Sequence, residues 1–351
     1  MKEKVLIGMS GGVDSSVAAL LLLRQGYDVM GVTMDLRPEL PGQSGCGSAA
    51  DVADAKRVAG KLGIEHRVLD LKERFRQDVI DYFAGEYAAG RTPNPCIACN
   101  RSLKFGAMLE AAKELGCQYI ATGHYAHVAK EGGRWLLYRA PGGKDQSYVL
   151  YTLTQEQLSS TLFPLCGYTK PQIREMAAQA ELPVANKPDS QEICFIPDKD
   201  YGAFLRKYTG KTPQPGEFVD SEGNVLGKHR GIPYYTIGQR KGLGVSFGKP
   251  MYVTKIEPAG NRVWLGPEGS QYRDSLLAGA LNWIAFENPE QPFSVQAKIR
   301  YQAEPADAEV IPQQDGNARV VFREPQRSVT PGQAVVFYRG DLVLGGGVIM
   351  E

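Results

Sequence analysis

Residue types able to do chemistry concentrate in one serine–glycine turn and in three cysteines spread along the chain. Ser10-Gly11-Gly12-Val13-Asp14-Ser15 lies between an apolar run, Val5-Leu6-Ile7, and a helical run from Val13 to Arg24. Glycines at 11 and 12 permit φ > 0 and close approach of a ligand, while Ser10, Asp14 and Ser15 bring oxygens and N–H groups to the positive end of a helix dipole. Such a turn holds phosphate. No lysine occurs between Gly8 and Arg24, which excludes the G-x-x-x-x-G-K-[ST] loop. The second cluster is Thr92-Pro93-Asn94-Pro95-Cys96-Ile97-Ala98-Cys99-Asn100. Its prolines extend the approach and put the thiols at a helix entrance, where the dipole lowers a thiol pKa and raises the thiolate fraction; Cys99 is singled out for this. A Cys-x-x-Cys is also half a zinc site or a redox couple, so nucleophile, metal and redox readings stand side by side. Cys194, between Ile193 and Phe195, reads by itself as a buried inert thiol, as do Cys117 and Cys166.

These residues need a frame. After the first helix, Asp28–Met34 reads as a strand, Ser48–Leu62 as a helix with a serine cap, and His66–Leu71 as a third strand. This alternation predicts an α/β doubly wound parallel sheet of Rossmann type, with ligands at the carboxyl ends of its strands. Met34 and Gly123 stand at such ends. His124 and His127, after the strand Tyr119–Thr122, are each more commonly structural than catalytic. Further helices are expected at Lys72–Ala89, Arg101–Leu115, Gln155–Leu162 and Lys170–Ala180, and a hairpin around Gly132-Gly133. Lys144-Asp145-Gln146-Ser147 lines a substrate path or caps a helix. The Pro/Gly-rich stretch between Leu36 and Gly47, with Cys46, reads as a mobile connection. From Tyr201 to Gly269 short strands and turns predict a small β-rich module, and strand-like runs after Tyr272 predict an antiparallel β-barrel. The chain thus divides into 1–200, 201–270 and 271–351.

Composition bounds the class. Among 351 residues, 43% are hydrophobic and 23% charged, and no apolar run approaches the ~18 residues of a membrane span. The start at Met1-Lys2-Glu3-Lys4 leaves no room for a leader before the first strand, so a soluble cytoplasmic protein with reduced cysteines is expected. Net charge is +1, yet 201–270 holds 10 basic against 5 acidic residues. Its Tyr234–Gly244 cluster of Tyr, Gln, Arg and Lys suits a sugar-phosphate backbone, or is simply a turn-rich surface.

Taken together, Ser-Gly-Gly-Val-Asp-Ser at 10–15, Asn-Pro-Cys-x-x-Cys-Asn at 94–100, Gly-His-Tyr at 123–125, Asp-Ser-Gln-Glu-Ile-Cys-Phe at 189–195 and Gly-Gln-Arg-Lys-Gly-Leu-Gly at 238–244 make the whole chain similar to the tRNA-specific 2-thiouridylases. The first motif resembles the pyrophosphate loop of enzymes that transfer AMP. The resemblance implies ATP-dependent thiolation of C2 of the wobble uridine in tRNAs for Lys, Glu and Gln, with magnesium accompanying ATP. It makes Gly8, Met9, Ser10, Gly11, Gly12, Val13, Asp14 and Ser15 the ATP loop, with Met34 and Gly123 on the adenine and ribose side. Cys99 becomes the nucleophile and Cys194 the persulfide carrier, joined afterwards as a disulfide. Asn94, Pro95 and Cys96 would face the target base, and His124, Lys144, Asp145, Gln146, Arg300, Tyr301 and Gln333 would touch tRNA. The implied sulfur source is a cysteine desulfurase or a relay protein. Some members have aspartate where Cys96 stands, so the proton-moving group is open here. An iron–sulfur cluster on Cys96, Cys99 and Cys194, and other pyrophosphate-loop ligase chemistry, are the alternatives.

Overall fold

The computed structural model describes residues 2–36, 48–188, 193–198, 200–246 and 248–351. Most of the expected connection, 37–47 with Cys46, and the polar run at 189–192 lie outside the described residues. Contacts divide the chain into two compact units, the first made of 1–79, 96–197 and 340–344, the second of 80–95, 198–339 and 345–351.

The first unit is built on a parallel sheet. β1 (Lys4–Gly8) lies between β2 (Asp28–Asp35) and β4 (Tyr119–Ala121), with β3 (His66–Asp70) outside β2 and the short strand Thr161–Leu162 outside β4. Val5, Leu6 and Ile7 are fully buried, because a central parallel strand is covered on both faces. The helix α1 (Val13–Arg24) follows β1 and buries Val13, Val17, Ala18, Leu21 and Leu22. α2 (Ala49–Leu62) has the expected cap: Ser48 Oγ accepts the Asp51 N–H at 3.1 Å, and Gly63 at φ 68° ends the helix. The doubly wound reading is right.

Three local expectations are corrected. The helix foreseen from Arg101 begins at Pro95, because proline suits a first helical position, and its α-helical start Pro95–Cys99 widens into a π-helical stretch Asn100–Ala107. Cys96 and Cys99 are therefore inside the helix rather than before it. Lys72–Ala89 also contains a π-helical turn, Arg76–Asp81. Gln155–Leu162 stops as a helix at Ser159, and Thr161 and Leu162 instead pair with Ile120 and Ala121.

In the second unit, the helix Tyr82–Ala88 packs Phe83 and Tyr87 against Tyr201 and Phe204 of the helix Tyr201–Thr209. That second helix was not foreseen, although its signals are ordinary: Asp200 Oδ1 accepts the Ala203 N–H at 2.9 Å, and Gly210 at φ 67° terminates it. Four strands, Gly216–Val219, Val225–His229, Tyr252–Glu257 and Arg262–Gly266, enclose a separate core of Phe218, Tyr235, Val253, Val263 and Leu265. The expected barrel comes after them. Its unforeseen member is the long strand Tyr272–Trp283, which closes the barrel by pairing Ala278 with Ile349 and Trp283 with Gly345. No helix among the described residues is long and apolar enough to cross a membrane.

Candidate active site

The turn after β1 is stiff. Gly11 has φ 69°, and a Cβ there would press into the Asp51 carbonyl at the start of α2, so only glycine fits. The Ser10 N–H donates to Ser15 Oγ at 3.1 Å, and Ser15 and Ser16 hydroxyls donate to the Gly12 carbonyl at 3.2 and 2.8 Å. Gly12 stands at the N-cap of α1, and having no side chain it brings no acceptor to the first N–H groups of that helix. Behind the turn, the Met9 N–H donates to the Val32 carbonyl at 2.7 Å and the Thr33 hydroxyl to the Met9 carbonyl at 2.8 Å. Met34, half-buried, stands near the end of the same strand. Gly8 and Gly123 have packing reasons to be glycine: a Cβ on Gly8 would meet Met108 Sδ at 3.2 Å, and one on Gly123 would meet Ser15 N at 2.8 Å. Gly123 thus supports the turn from behind.

Asp14, in the first turn of α1, gathers three donors. Lys170 Nζ donates to its Oδ1 at 2.7 Å, Tyr125 Oη to the same oxygen at 2.8 Å, and Lys144 Nζ to Oδ2 at 3.1 Å, with the Lys144 ammonium 4.5 Å from the centre of the Tyr125 ring. Two ammonium groups against one carboxylate leave a net positive charge beside the helix N-terminus, which suits a polyphosphate. Lys170 and Tyr125 are absent from the sequence-derived set. Lys170 stands in chain order far from the glycine turn, at the start of the helix Lys170–Gln179, and only folding brings it there.

Several expected contact residues have internal partners. Gln146 Oε1 accepts the Tyr125 N–H at 3.0 Å, and Asp145 Oδ1 accepts the Ser147 N–H at 3.0 Å, just before the short helix Ser147–Leu150. His124 is buried against Phe105 and Phe163, its Nδ1 is 2.8 Å from Thr122 Oγ1, and burial, then Lys104 and Lys144, push its pKa well below the usual histidine range. In the second unit, Arg300 Nη2 donates to the Ser328 carbonyl at 2.6 Å and to Thr330 Oγ1 at 2.9 Å, Tyr301 is exposed with Lys298 over its ring, and Gln333 Nε2 donates to the Thr92 carbonyl at 2.8 Å.

The thiols differ in setting. Cys96 is exposed, Cys99 buried and Cys194 half-buried. Asn100, next to Cys99, fixes the helix by donating from Nδ2 to the Val149 carbonyl at 2.9 Å. Cys194 is held by its neighbour, because Phe195 is buried edge-on against Phe75 with ring centres 5.7 Å apart. Burial pushes the Cys117 and Cys166 thiols up, which fits the inert reading. Among the described residues no group of three Cys, His, Asp or Glu side chains is arranged to hold a metal ion.

Three family models match consecutive parts of the chain: a tRNA methyl transferase HUP domain over residues 3–198, a tRNA methyl transferase PRC-barrel domain over 202–267, and an aminomethyltransferase β-barrel domain over 273–349. The tRNA-specific 2-thiouridylase MnmA of Heliobacterium modesticaldum is 56% identical, with 100% of this chain and 93% of that one covered. Those of Acetivibrio thermocellus (54% identical, 99% of each chain) and Clostridioides difficile (51%, 99% of this chain and 98% of that one) are similar over the same span. On a likeness of this depth across every domain, the chain belongs to the family of tRNA-specific 2-thiouridylases.

Proposed function

We propose that this protein is an ATP-dependent tRNA sulfurtransferase that thiolates C2 of the wobble uridine in tRNAs for Lys, Glu and Gln. Full-length identity to relatives that carry the name tRNA-specific 2-thiouridylase supports the uridine chemistry. The observation that carries the ATP step is the Asp14 clasp, two lysines poised at a helix N-terminus capped by glycine. ATP, with its magnesium ion, binds with its pyrophosphate on the Gly8–Ser15 turn and its adenosine toward Met34. Lys144 and Lys170 turn from Asp14 to the phosphate oxygens. The uracil C2 oxygen attacks the α-phosphorus, pyrophosphate leaves, and charge developing on it is met by backbone N–H groups and the two ammonium groups. An oxygen carrying AMP then leaves where a bare oxygen would not.

Sulfur comes next. A desulfurase or relay protein loads Cys194 as a persulfide, whose terminal sulfur attacks C2 and expels AMP. The Cys99 thiolate attacks Cys194 Sγ, the S–S bond breaks with its electron pair going to the C2 sulfur, and a Cys99–Cys194 disulfide remains for an external thiol to reduce. In the other order Cys99 frees hydrosulfide first, and the hydrosulfide attacks C2. Asn94, Pro95 and Cys96 face the base, and the basic middle module and the barrel, with Tyr301 exposed, receive the anticodon arm. Mass analysis of the wobble nucleoside after incubation of unmodified tRNA with protein, ATP and a sulfide source tests the whole reading. Unchanged uridine with intact ATP would overturn it.

A further inference from the structure

Within the second unit, hydrogen bonds join the C-terminal barrel to the segment that ends at Pro95. Thr92 is gripped on both sides: its N–H donates to the Pro331 carbonyl at 2.9 Å, and its carbonyl accepts from Gln333 Nε2 at 2.8 Å. Between those two partners sits Gly332 at φ 90°, where a Cβ would meet Thr92 N at 2.9 Å and Arg91 Cβ at 3.0 Å. The gripping turn is itself pinned. Gly332 N–H donates to the Ile349 carbonyl and Ile349 N–H to the Gln333 carbonyl, both at 2.8 Å, while Arg300 holds Ser328 and Thr330 from the other end. The middle module joins in, with Thr236 Oγ1 3.4 Å from Thr92 Oγ1 and Gly238 packed without a side chain on Ser328.

The short run from Thr92 to Pro95 follows directly from this grip. Pro93 and Pro95 are buried and have φ locked near −65°, and each also restricts the residue before it, so little torsional freedom separates Thr92 from Asn94 and Pro95. We infer that the 328–333 turn of the barrel is a positioning clamp for the Asn94-Pro95 segment, with Gln333 and Gly332 as positioning residues that set how this segment meets the target base. The inference rests on the reading in which that segment faces the base. It gives Gln333 and Arg300 work inside the protein, and it makes the barrel part of the rate of thiolation as well as of tRNA affinity.

The test uses Gln333→Ala, Gln333→Glu and Gly332→Ala in the full-length protein. Three readouts are taken: hydrogen exchange of the 91–99 peptide, dissociation constant for tRNA, and single-turnover thiolation at saturating tRNA and ATP. The clamp predicts faster exchange in that peptide and thiolation slowed on the order of tenfold to a hundredfold, as expected for a misplacement near 1 Å, with tRNA affinity within about threefold of wild type. Gly332→Ala is decisive because it alters the clamp and removes no side chain able to touch RNA. Loosened exchange without slower thiolation overturns the clamp, as does a Gln333→Ala defect confined to tRNA affinity with Gly332→Ala silent. A wild-type protein that makes no thiouridine would instead sink the functional reading, and exchange at 91–99 would still report whether the grip exists.

Discussion

Replacing Gly11 by alanine separates the two demands on the nucleotide turn. Position 11 sits at φ 69°, and the added Cβ would press into the Asp51 carbonyl oxygen with Asp51 C and Cα both 3.0 Å away. An L-residue held in the left-handed region costs about 1–2 kcal/mol, and forcing a methyl against fixed backbone adds roughly 1–3 kcal/mol, for a loss of roughly 2–5 kcal/mol. The neighbouring site is the control. Gly12 has φ −102°, and its Cβ would meet only Ser10 Oγ at 3.3 Å, so Gly12→Ala changes stability within about 1 kcal/mol while placing a methyl in the proposed phosphate site. Urea unfolding and the ATP dependence of pyrophosphate release are measured on both. Gly11→Ala shifts the urea midpoint strongly, and Gly12→Ala keeps the midpoint but raises KM for ATP. A Gly11→Ala protein as stable as wild type would refute the packing of α2 on the turn.

Lys170→Met should lower kcat for pyrophosphate release by about 10²–10³-fold, the usual scale for one lost electrostatic donor, with Lys170→Arg retaining more. Its effect on unfolding should stay near 1 kcal/mol, because Lys144 and Tyr125 still hold Asp14. Cys99→Ala and Cys194→Ala should each abolish thiolation of unmodified tRNA, whereas Cys117→Ala and Cys166→Ala leave it intact; retained activity in either of the first pair removes that thiol from the mechanism. Acid should destabilise the fold. Burial lowers the pKa of His66, His124 and His229 below 6.5, so their contribution is complete above that value, declines as pH falls and the unfolded chain takes protons first, and levels off below the folded-state values. His229 accepts the Gly231 N–H at Nδ1 (3.0 Å) and its Nε2 lies 3.1 Å from the Asn261 carbonyl, a neutral pairing; a pH series of urea midpoints should be flatter in His229→Gln.

The frame was legible because its signals are local. A buried strand, two glycines and a helical run fix the nucleotide turn from consecutive residues, and Ser48 caps α2 as its position suggests. Helix boundaries failed where a proline begins a helix and where π-helical turns let one continue, features that apolar spacing does not encode. The Tyr201–Thr209 helix was hidden by the glycine and proline of its surroundings, despite Asp200 and Gly210 at its ends. Site residues divide in the same way. The glycine turn and Cys-x-x-Cys can be read in sequence order, but Lys170 on Asp14 and Gln333 on Thr92 span 156 and 241 residues, and no periodicity announces such pairs. Asp145 and Gln146 also have partners that spacing does not show, the Ser147 N–H next to the short helix for Asp145 and the more distant Tyr125 N–H for Gln146.

In the proposed mechanism Cys99 and Cys194 act as one sulfur-transferring pair served by the ATP turn. It is tested most directly by a single turnover without external reductant, using persulfide-loaded protein, ATP and unmodified tRNA, followed by alkylation and peptide mass mapping. A paired mechanism gives a peptide linked through Cys99 and Cys194, formed in proportion to 2-thiouridine and absent when ATP or tRNA is withheld. Thiouridine made while both cysteines remain open to alkylation would contradict it.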